Sequence, residues 1–195
     1  MSERHDEQQH EQGQIKGLRP RVWIGSLADY NAGRLLGEWT DAAVETEELL
    51  GVAERIMATS ERAGAKEWAI FDFDGFGSYR VGEHDELGSV AAVARGIAHH
   101  GAAYASWAER SRDDGERRER FEEAFLGEYA SRDTYVDFVL DGMEIKQALA
   151  TAIPLWLQAY VRVDGAALLR DLELGGGIDV EEAADGAIWV FDTRV

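Results

Sequence analysis

Two closely spaced aspartates, Asp72 and Asp74, are the residues of this sequence whose type and position most resemble a catalytic pair. They end a strand-like run, which is a position that the aspartate pair of a phosphoryl-transfer enzyme could occupy. The Thr or Val that such motifs place next is missing, and no later lysine-plus-acid set is evident. A small hydrolase that uses both aspartates therefore stays open only as an alternative.

The same segment can also be aligned with a calcium-binding loop. This alignment places Asp72, Asp74, Gly77 and Glu83 at loop positions 1, 3, 6 and 12. Position 5 is then Phe76, which has no oxygen ligand to offer, and a strand rather than a helix leads into the segment. The pattern argues against a calcium site.

Histidines and a glycine run are the other candidates for ligand chemistry. His99 and His100 would point about 100° apart on a helix, and His84 lies at no ligand spacing from other donors. We expect His99 and His100 at a helix end, where the helix dipole favours them. The glycines at 175–177 follow a predicted helix and precede a strand, the reverse of a phosphate-binding loop. We therefore predict no catalytic residue, cofactor or metal.

A charged run at residues 112–123 contains six acids and four arginines. On a continuous helix, Glu116, Glu119 and Glu123 would share one face, with Phe121 and Phe125 on the opposite face. Such a face is either simply solvated or a row of carboxylates for a basic partner. The spacing alone leaves both interpretations open.

The elements that position these residues begin with a β-β-α-β pattern. Strands are predicted at 21–27, 34–41 and 66–73, a turn at 28–33, and a helix at 45–63. Further helices are predicted at 87–100, 104–108, 121–125, 135–139 and 164–174, and a hairpin turn at 184–186.

Together these elements predict an α+β fold of three small lobes. An α+β lobe spans residues 20–80, a helical acidic lobe spans 81–127, and helices with a C-terminal hairpin span 128–195. Residues 1–19 have few large apolar groups, so we expect a disordered tail there.

Composition narrows the function classes. Among 195 residues, 38 acids stand against 20 bases, a net charge of −18 that is spread over every predicted lobe. Such a field repels nucleic acid and anionic membranes and attracts basic surfaces. The absence of cysteine excludes disulfides, thiolate metal sites and cysteine nucleophiles. With no long apolar run and a polar start, the chain is expected to be cytoplasmic.

Five segments are similar to the ArdA family of antirestriction proteins. RVWIGSLADYNAGRLLGEWTDA resembles the family's opening strand and its "SLADYNAGRLxGxW" turn, and EWAIFDFDGFGSYRVGEHDEL resembles the next block. RFEEAFLGEYASRDTYVDFVLD and LLRDLELGGGI with AIWVFDT match the later blocks. The resemblance covers roughly residues 20–195. Phe71 stands where the family commonly has His, and residues 140–163 fit only loosely.

The resemblance implies a non-enzymatic, elongated protein encoded on mobile DNA. It implies a homodimer formed through residues 128–195, curved like bent duplex DNA, that does not bind nucleic acid itself. Its implied partner is a type I restriction–modification enzyme, bound at the methyltransferase core with the specificity subunit. Restriction of the incoming element would then be blocked by an acidic DNA mimic.

Acids on predicted exposed faces are the candidate partner-binding residues of such a mimic. They are Glu83, Asp85, Glu86, Asp113, Asp114, Glu116, Glu119, Glu123, Asp133, Asp137, Asp179 and Glu181. The same charge would also suit an acidic regulator that binds another basic DNA-binding protein, such as a nucleoid or transcription factor, and this alternative stays open.

Overall fold

The computed structural model describes residues 17–62 and 66–195, which fall into two compact units divided between Arg110 and Ser111. The described residues form helices together with two separate antiparallel sheets, so the predicted α+β class is confirmed. None of the helices described has the length and apolar character needed to cross a bilayer.

The described residues of the first unit form a three-stranded sheet and four helices. In chain order these are β1 Arg21–Ser26, α1 Leu27–Asn31, β2 Gly37–Asp41, α2 Thr46–Thr59, β3 Trp68–Asp74, α3 Leu87–His100 and α4 Ala102–Arg110. The strand order is β2-β1-β3, and both pairings are antiparallel. The predicted β-β-α-β order is therefore present, with a short helix where the turn at 28–33 was expected.

Helical periodicity explains the core of the first unit. Apolar residues of α2 and α3 recur every three or four positions, which gives each helix one apolar face. Those faces pack against the inner side of the sheet, where Val22 and Ile24 are fully buried. Leu18 packs against the same core, and residues 1–16 of the predicted tail lie outside the described residues.

The second unit combines six helices with the second sheet. Its elements are α5 Gly115–Glu119, α6 Phe121–Ala124, β4 Phe125–Tyr129, α7 Arg132–Gly142, α8 Ile145–Ala152, α9 Leu155–Gln158, α10 Gly165–Leu174, β5 Ile178–Glu182 and β6 Ile188–Asp192. The strand order is β4-β6-β5, again antiparallel. Helices α7 and α10 pack on one side of this sheet around Leu169, Val180 and Val190.

Local signals predicted several elements of the second unit. The Asp164 side chain caps α10 by accepting a hydrogen bond from the Ala167 N–H (2.9 Å), and α10 ends at Leu174, just before Gly175. Gly186, with φ of +90°, lies in the turn between β5 and β6. The described residues divide into two compact units after Arg110. Three lobes with boundaries at 80 and 127 stay a prediction.

The expectation of a helix through Phe125 was wrong, because β4 begins at that residue. Its ring stacks on Phe121 at 5.1 Å between centroids and lies 5.5 Å from Phe191 of β6. Pairing with β6 satisfies the backbone groups of β4. Because this partner strand is far away in the sequence, helical periodicity around Phe121 gave no sign of it.

The segment SLADYNAGRL forms a small hydrogen-bonded unit around Asp29. The Ser26 hydroxyl accepts the Asp29 N–H at the start of α1, and the fully buried Asp29 carboxylate accepts the Ser60 hydroxyl at 2.5 Å. The guanidinium of Arg34 lies 3.8 Å from the other carboxylate oxygen. Hydrogen bonds from Ser60 and Ser26 hold the pKa of Asp29 below its usual value. The motif thus joins α1 to the end of α2.

Close backbone approach explains two glycines of the first sheet. The Trp23 indole lies against Gly25 and Gly37, where an added methyl would stand 2.4 and 2.6 Å from ring carbons. At Gly37 that methyl would also lie 2.4 Å from the Ile24 carbonyl oxygen, so the backbone itself would have to move. Only glycine fits at these positions without rearrangement.

We predict that Asp29→Asn lowers the free energy of unfolding at neutral pH, because the hydroxyl and arginine contacts favour the ionised form. A depressed pKa contributes stability above the ordinary carboxyl value of 3.8, and this contribution is lost as the pH falls through the lower, folded-state pKa. Urea unfolding of both proteins between about pH 7 and about pH 3 measures the difference. A difference in unfolding free energy between the two proteins that stayed constant over this pH range would contradict a lowered pKa of Asp29.

We predict that Gly37→Ala destabilises the protein by about 1–3 kcal/mol, the typical cost of overpacking. The matched control is Gly51→Ala in α2, where an added methyl meets nothing within 4 Å. Because alanine favours helix, this control should stabilise the protein by about 0.5–1 kcal/mol. Thermal unfolding of the two variants measures both effects. Equal changes in stability in Gly37→Ala and Gly51→Ala would argue against a close approach of Trp23 to Gly37.

Candidate functional site

The acids that precede α3 lie in a loop attached to the first sheet. The Glu83 carbonyl accepts the Ile70 N–H at 2.9 Å, which fixes the loop beside β3. The Asp85 carboxylate is half-buried and accepts the Gly82 N–H at 2.8 Å, so it helps to shape the loop. Glu83 and Glu86 are exposed, and the Glu86 side chain makes no capping bond to α3.

The acids of the charged run were expected on one continuous helix, but the structure divides the run between two helices. Helix α5 ends at Glu119 and α6 begins at Phe121, because Arg120 adopts φ of −86° and ψ of 17°. Asp114 caps α5 by accepting the Arg117 N–H at 2.9 Å. Glu123 lies beyond the break and pairs with the Arg120 guanidinium at 3.0 Å.

Helix α7 carries a row of acids on its exposed side. Asp133 and Asp137 are one turn apart and exposed, whereas Tyr135 and Val136 are buried in the core. Asp141 continues the row at the same spacing and was missed by the sequence analysis. The repeated four-residue interval was the signal that could have found it. We call Asp133, Asp137 and Asp141 the α7 acidic row.

Asp141, at the C-terminal end of the α7 acidic row, interacts with a lysine. Lys146 donates a hydrogen bond to Asp141 at 2.7 Å, and this bond, with the charges of Asp141 and Asp137, raises the pKa of Lys146. The lysine therefore partly balances the C-terminal end of the row. Asp133 makes no ion pair among residues 17–62 and 66–195.

Asp179 and Glu181 alternate along β5 with the buried Ile178 and Val180. Both acids are half-buried, and neither is an isolated surface charge. They stand opposite Phe191 and Trp189 in the β5–β6 register. Their exposure is therefore lower than the sequence analysis assumed.

Many other acids are neutralised within the molecule. Pairs with N–O distances of 2.8–3.1 Å are Arg21–Asp74, Arg34–Glu61, Arg55–Glu38, Arg132–Glu173 and Arg194–Asp192. Such acids support local structure and are less available to a partner than unpaired ones.

The predicted acids that remain exposed, without an ion pair or side-chain hydrogen bond to another described residue, form a second population. They are Glu83, Glu86, Asp113, Glu116, Glu119, Asp133 and Asp137. The sequence analysis did not select Glu47, Glu48 and Glu54, which are similarly exposed on α2. Carboxylates of this kind accept charge-assisted hydrogen bonds from arginine and lysine.

The contacts of Asp72 and Asp74 give little support to a hydrolase site or a calcium site at these residues. Asp74 already holds the Arg21 guanidinium at 2.9 Å, and Asp72 accepts the N–H of Phe73 at 2.8 Å. A metal cation at Asp74 would have to compete with the Arg21 guanidinium for the carboxylate. His99 and His100 lie in the last turn of α3, as expected of helix-end histidines.

Comparison with known proteins identifies the family. The sequence model of the family described as antirestriction protein (ArdA) matches residues 22–185. This range begins in β1 and ends in the turn after β5. A search of curated proteins gives no match. The resemblance inferred from the sequence blocks is thus confirmed over most of the chain. The chain belongs to the ArdA family of antirestriction proteins, which act against restriction–modification enzymes.

Proposed function

We propose that this antirestriction protein is an acidic DNA mimic that competes for the DNA-binding groove of type I restriction–modification enzymes. The proposed partner is the methyltransferase core with its specificity subunit, and the beneficiary is incoming mobile DNA. The observation that carries the proposal is the population of exposed, unpaired carboxylates in both units. The protein would act by binding alone.

The amount of charge is sufficient for such mimicry. Duplex DNA carries one negative charge per about 1.7 Å of its axis. A homodimer of a chain with net charge −18 would match about 60 Å of duplex. Since phosphate contacts position a protein without reading sequence, a mimic of the backbone alone could inhibit enzymes with different target sequences.

The α7 acidic row supports the proposal, because its acids stand one helical turn apart and repel each other. Like charges four residues apart on a helix destabilise it by about 0.2–0.5 kcal/mol per pair. Asp133 lies in the first turn of α7, where the helix dipole favours an acid, and Asp137 lies one turn further along; neither makes an arginine or lysine ion pair among the described residues. A groove lined with basic residues would relieve this repulsion on binding.

Homodimerisation through the C-terminal unit is the second part of the proposal. The segment around α9 exposes Leu155, Trp156 and Tyr160, with 84%, 73% and 80% of each residue accessible in the single chain. Contiguous exposed apolar groups of this size commonly mark protein–protein contacts. A second copy of the chain would cover them and double the acidic surface.

We predict that the purified protein displaces duplex DNA from a type I methyltransferase, with an affinity that falls as salt rises. Competition binding at several salt concentrations measures this. Because each exposed charge contributes little, a single Asp→Asn change should weaken binding by less than about fivefold. One such change that abolished inhibition while leaving the fold intact would replace the distributed surface with a localised site.

Asp133→Asn with Asp137→Asn should weaken binding by about two- to thirtyfold, if each charge contributes about 0.2–1 kcal/mol. The matched control, Glu38→Gln with Glu61→Gln, removes the same charge from acids already paired with Arg55 and Arg34. Equal effects of the two double variants would mean that net charge alone matters. Capture of a different basic protein in hosts with and without a type I system would favour the acidic-regulator alternative.

We predict that Trp156→Glu shifts the protein from dimer to monomer, because a charge would be buried at the proposed interface. Sedimentation equilibrium measures the association state. The control is Leu35→Glu in the first unit, a residue that is 78% exposed and should leave the dimer intact. A monomeric wild-type protein, or dissociation by the control alone, would contradict this part of the proposal.

A further inference from the structure

The outer side of the first sheet carries aromatic residues where an exposed sheet face usually carries polar ones. Trp23 and Phe71 are half-buried, and Trp39 and Tyr30 are 42% and 50% exposed. We call these four residues the aromatic face. None of them belongs to the buried core of the first unit.

A β-bulge orients the aromatic face. In the β1–β3 pairing, Trp23 is opposite Asp72 and Ile24 is opposite Ile70, so Phe71 is the extra residue between them. The Phe71 ring contacts the Trp23 ring edge-on at 5.5 Å and the Tyr30 ring at 4.5 Å. The rings are therefore held in place before any partner binds.

The same face already binds one guanidinium from its own chain. The Arg21 guanidinium lies 5.3 Å from the centre of the Trp39 ring and pairs with the Asp74 carboxylate at 2.9 Å. A ring face combined with a carboxylate suits arginine, whose planar cation can stack and form charged hydrogen bonds together. This contact is an internal example of the chemistry that the face supports.

Aromatic rings and carboxylates also come together at a second place on the aromatic face, beside the contact of Arg21 with Trp39 and Asp74. No cation of the described residues is bound there. Tyr30, Phe71, Asp72 and Glu83 line a surface depression of about 460 Å³. Asp72 and Glu83 are exposed and form no ion pair with residues 17–62 or 66–195. The depression therefore combines two available carboxylates with two fixed rings.

We propose that this depression receives an arginine side chain of the basic partner protein. The inference rests on the proposed function for the partner, and it adds a contact that a phosphate backbone does not offer. Interface residues that contribute most to affinity are commonly arginine, tyrosine and tryptophan. The ring contact makes this an anchoring point within a surface that is otherwise governed by long-range charge.

We expect Tyr30→Ala to weaken binding to a type I methyltransferase by about two- to thirtyfold, the range for a cation–π contact. The variant leaves the net charge unchanged, so its fold-loss should persist at high salt, whereas the loss from Asp72→Asn should shrink. Leu35→Ala, which removes an exposed apolar side chain of the same unit, should bind like the wild type. Circular dichroism of each variant verifies the fold.

A titration of the full chain with N-acetyl-arginine amide tests the depression without the enzyme. Amide chemical shifts should change around Tyr30, Phe71 and Asp72, and N-acetyl-lysine amide should cause smaller changes. Equal responses to the two amides, or a Tyr30→Ala variant that binds as the wild type does, would overturn the inference. If the wild type failed to bind the enzyme while the arginine shifts remained, the proposed function alone would fail.

Discussion

Repulsion among carboxylates is the constraint on which the rest of this structure depends. With 38 acids and 20 bases, folding brings like charges together, and this opposes the compact state. Stability must then come mainly from apolar burial. The two cores contain aliphatic and aromatic side chains, and Asp29, the buried carboxylate of the described chain, is held by hydroxyl groups and an arginine.

Internal ion pairs divide the acids into two groups with different consequences. Arginine contacts such as Arg132 with Glu173 and Glu182 link α10 and β5 to the start of α7, and these acids serve the fold. Other acids, such as those of the α7 acidic row, face solvent on helices whose opposite sides are buried. The proposed basic partner would gain most from the second group, since no existing contact would have to be broken.

The acidic surface and the aromatic face would contribute to recognition in different ways. Distributed charge acts over about a Debye length and mainly accelerates encounter with a basic surface. Aromatic rings act only at contact, and their effect depends less on salt and more on shape. Gly25 and Gly37 allow the Trp23 indole to lie close to the sheet.

Local sequence signals were sufficient where an element depends on its own residues. Periodicity located α2 and α3, Asp164 marked the start of α10, and the Asp-Gly turn located the C-terminal hairpin. The SLADYNAGRL segment was specific enough to indicate the family, which the match over residues 22–185 confirms. Net charge and its spread along the chain also follow from the sequence alone.

Tertiary structure decided what depends on residues distant in sequence. Strand β4 exists because β6 pairs with it, and the bulge at Phe71 exists because β1 and β3 meet in a shifted register. Which acids are neutralised was equally hidden, since Arg132 and Glu173 are 41 positions apart. A sequence fixes the type and spacing of charges, but only the folded chain determines which of them face each other and which face solvent.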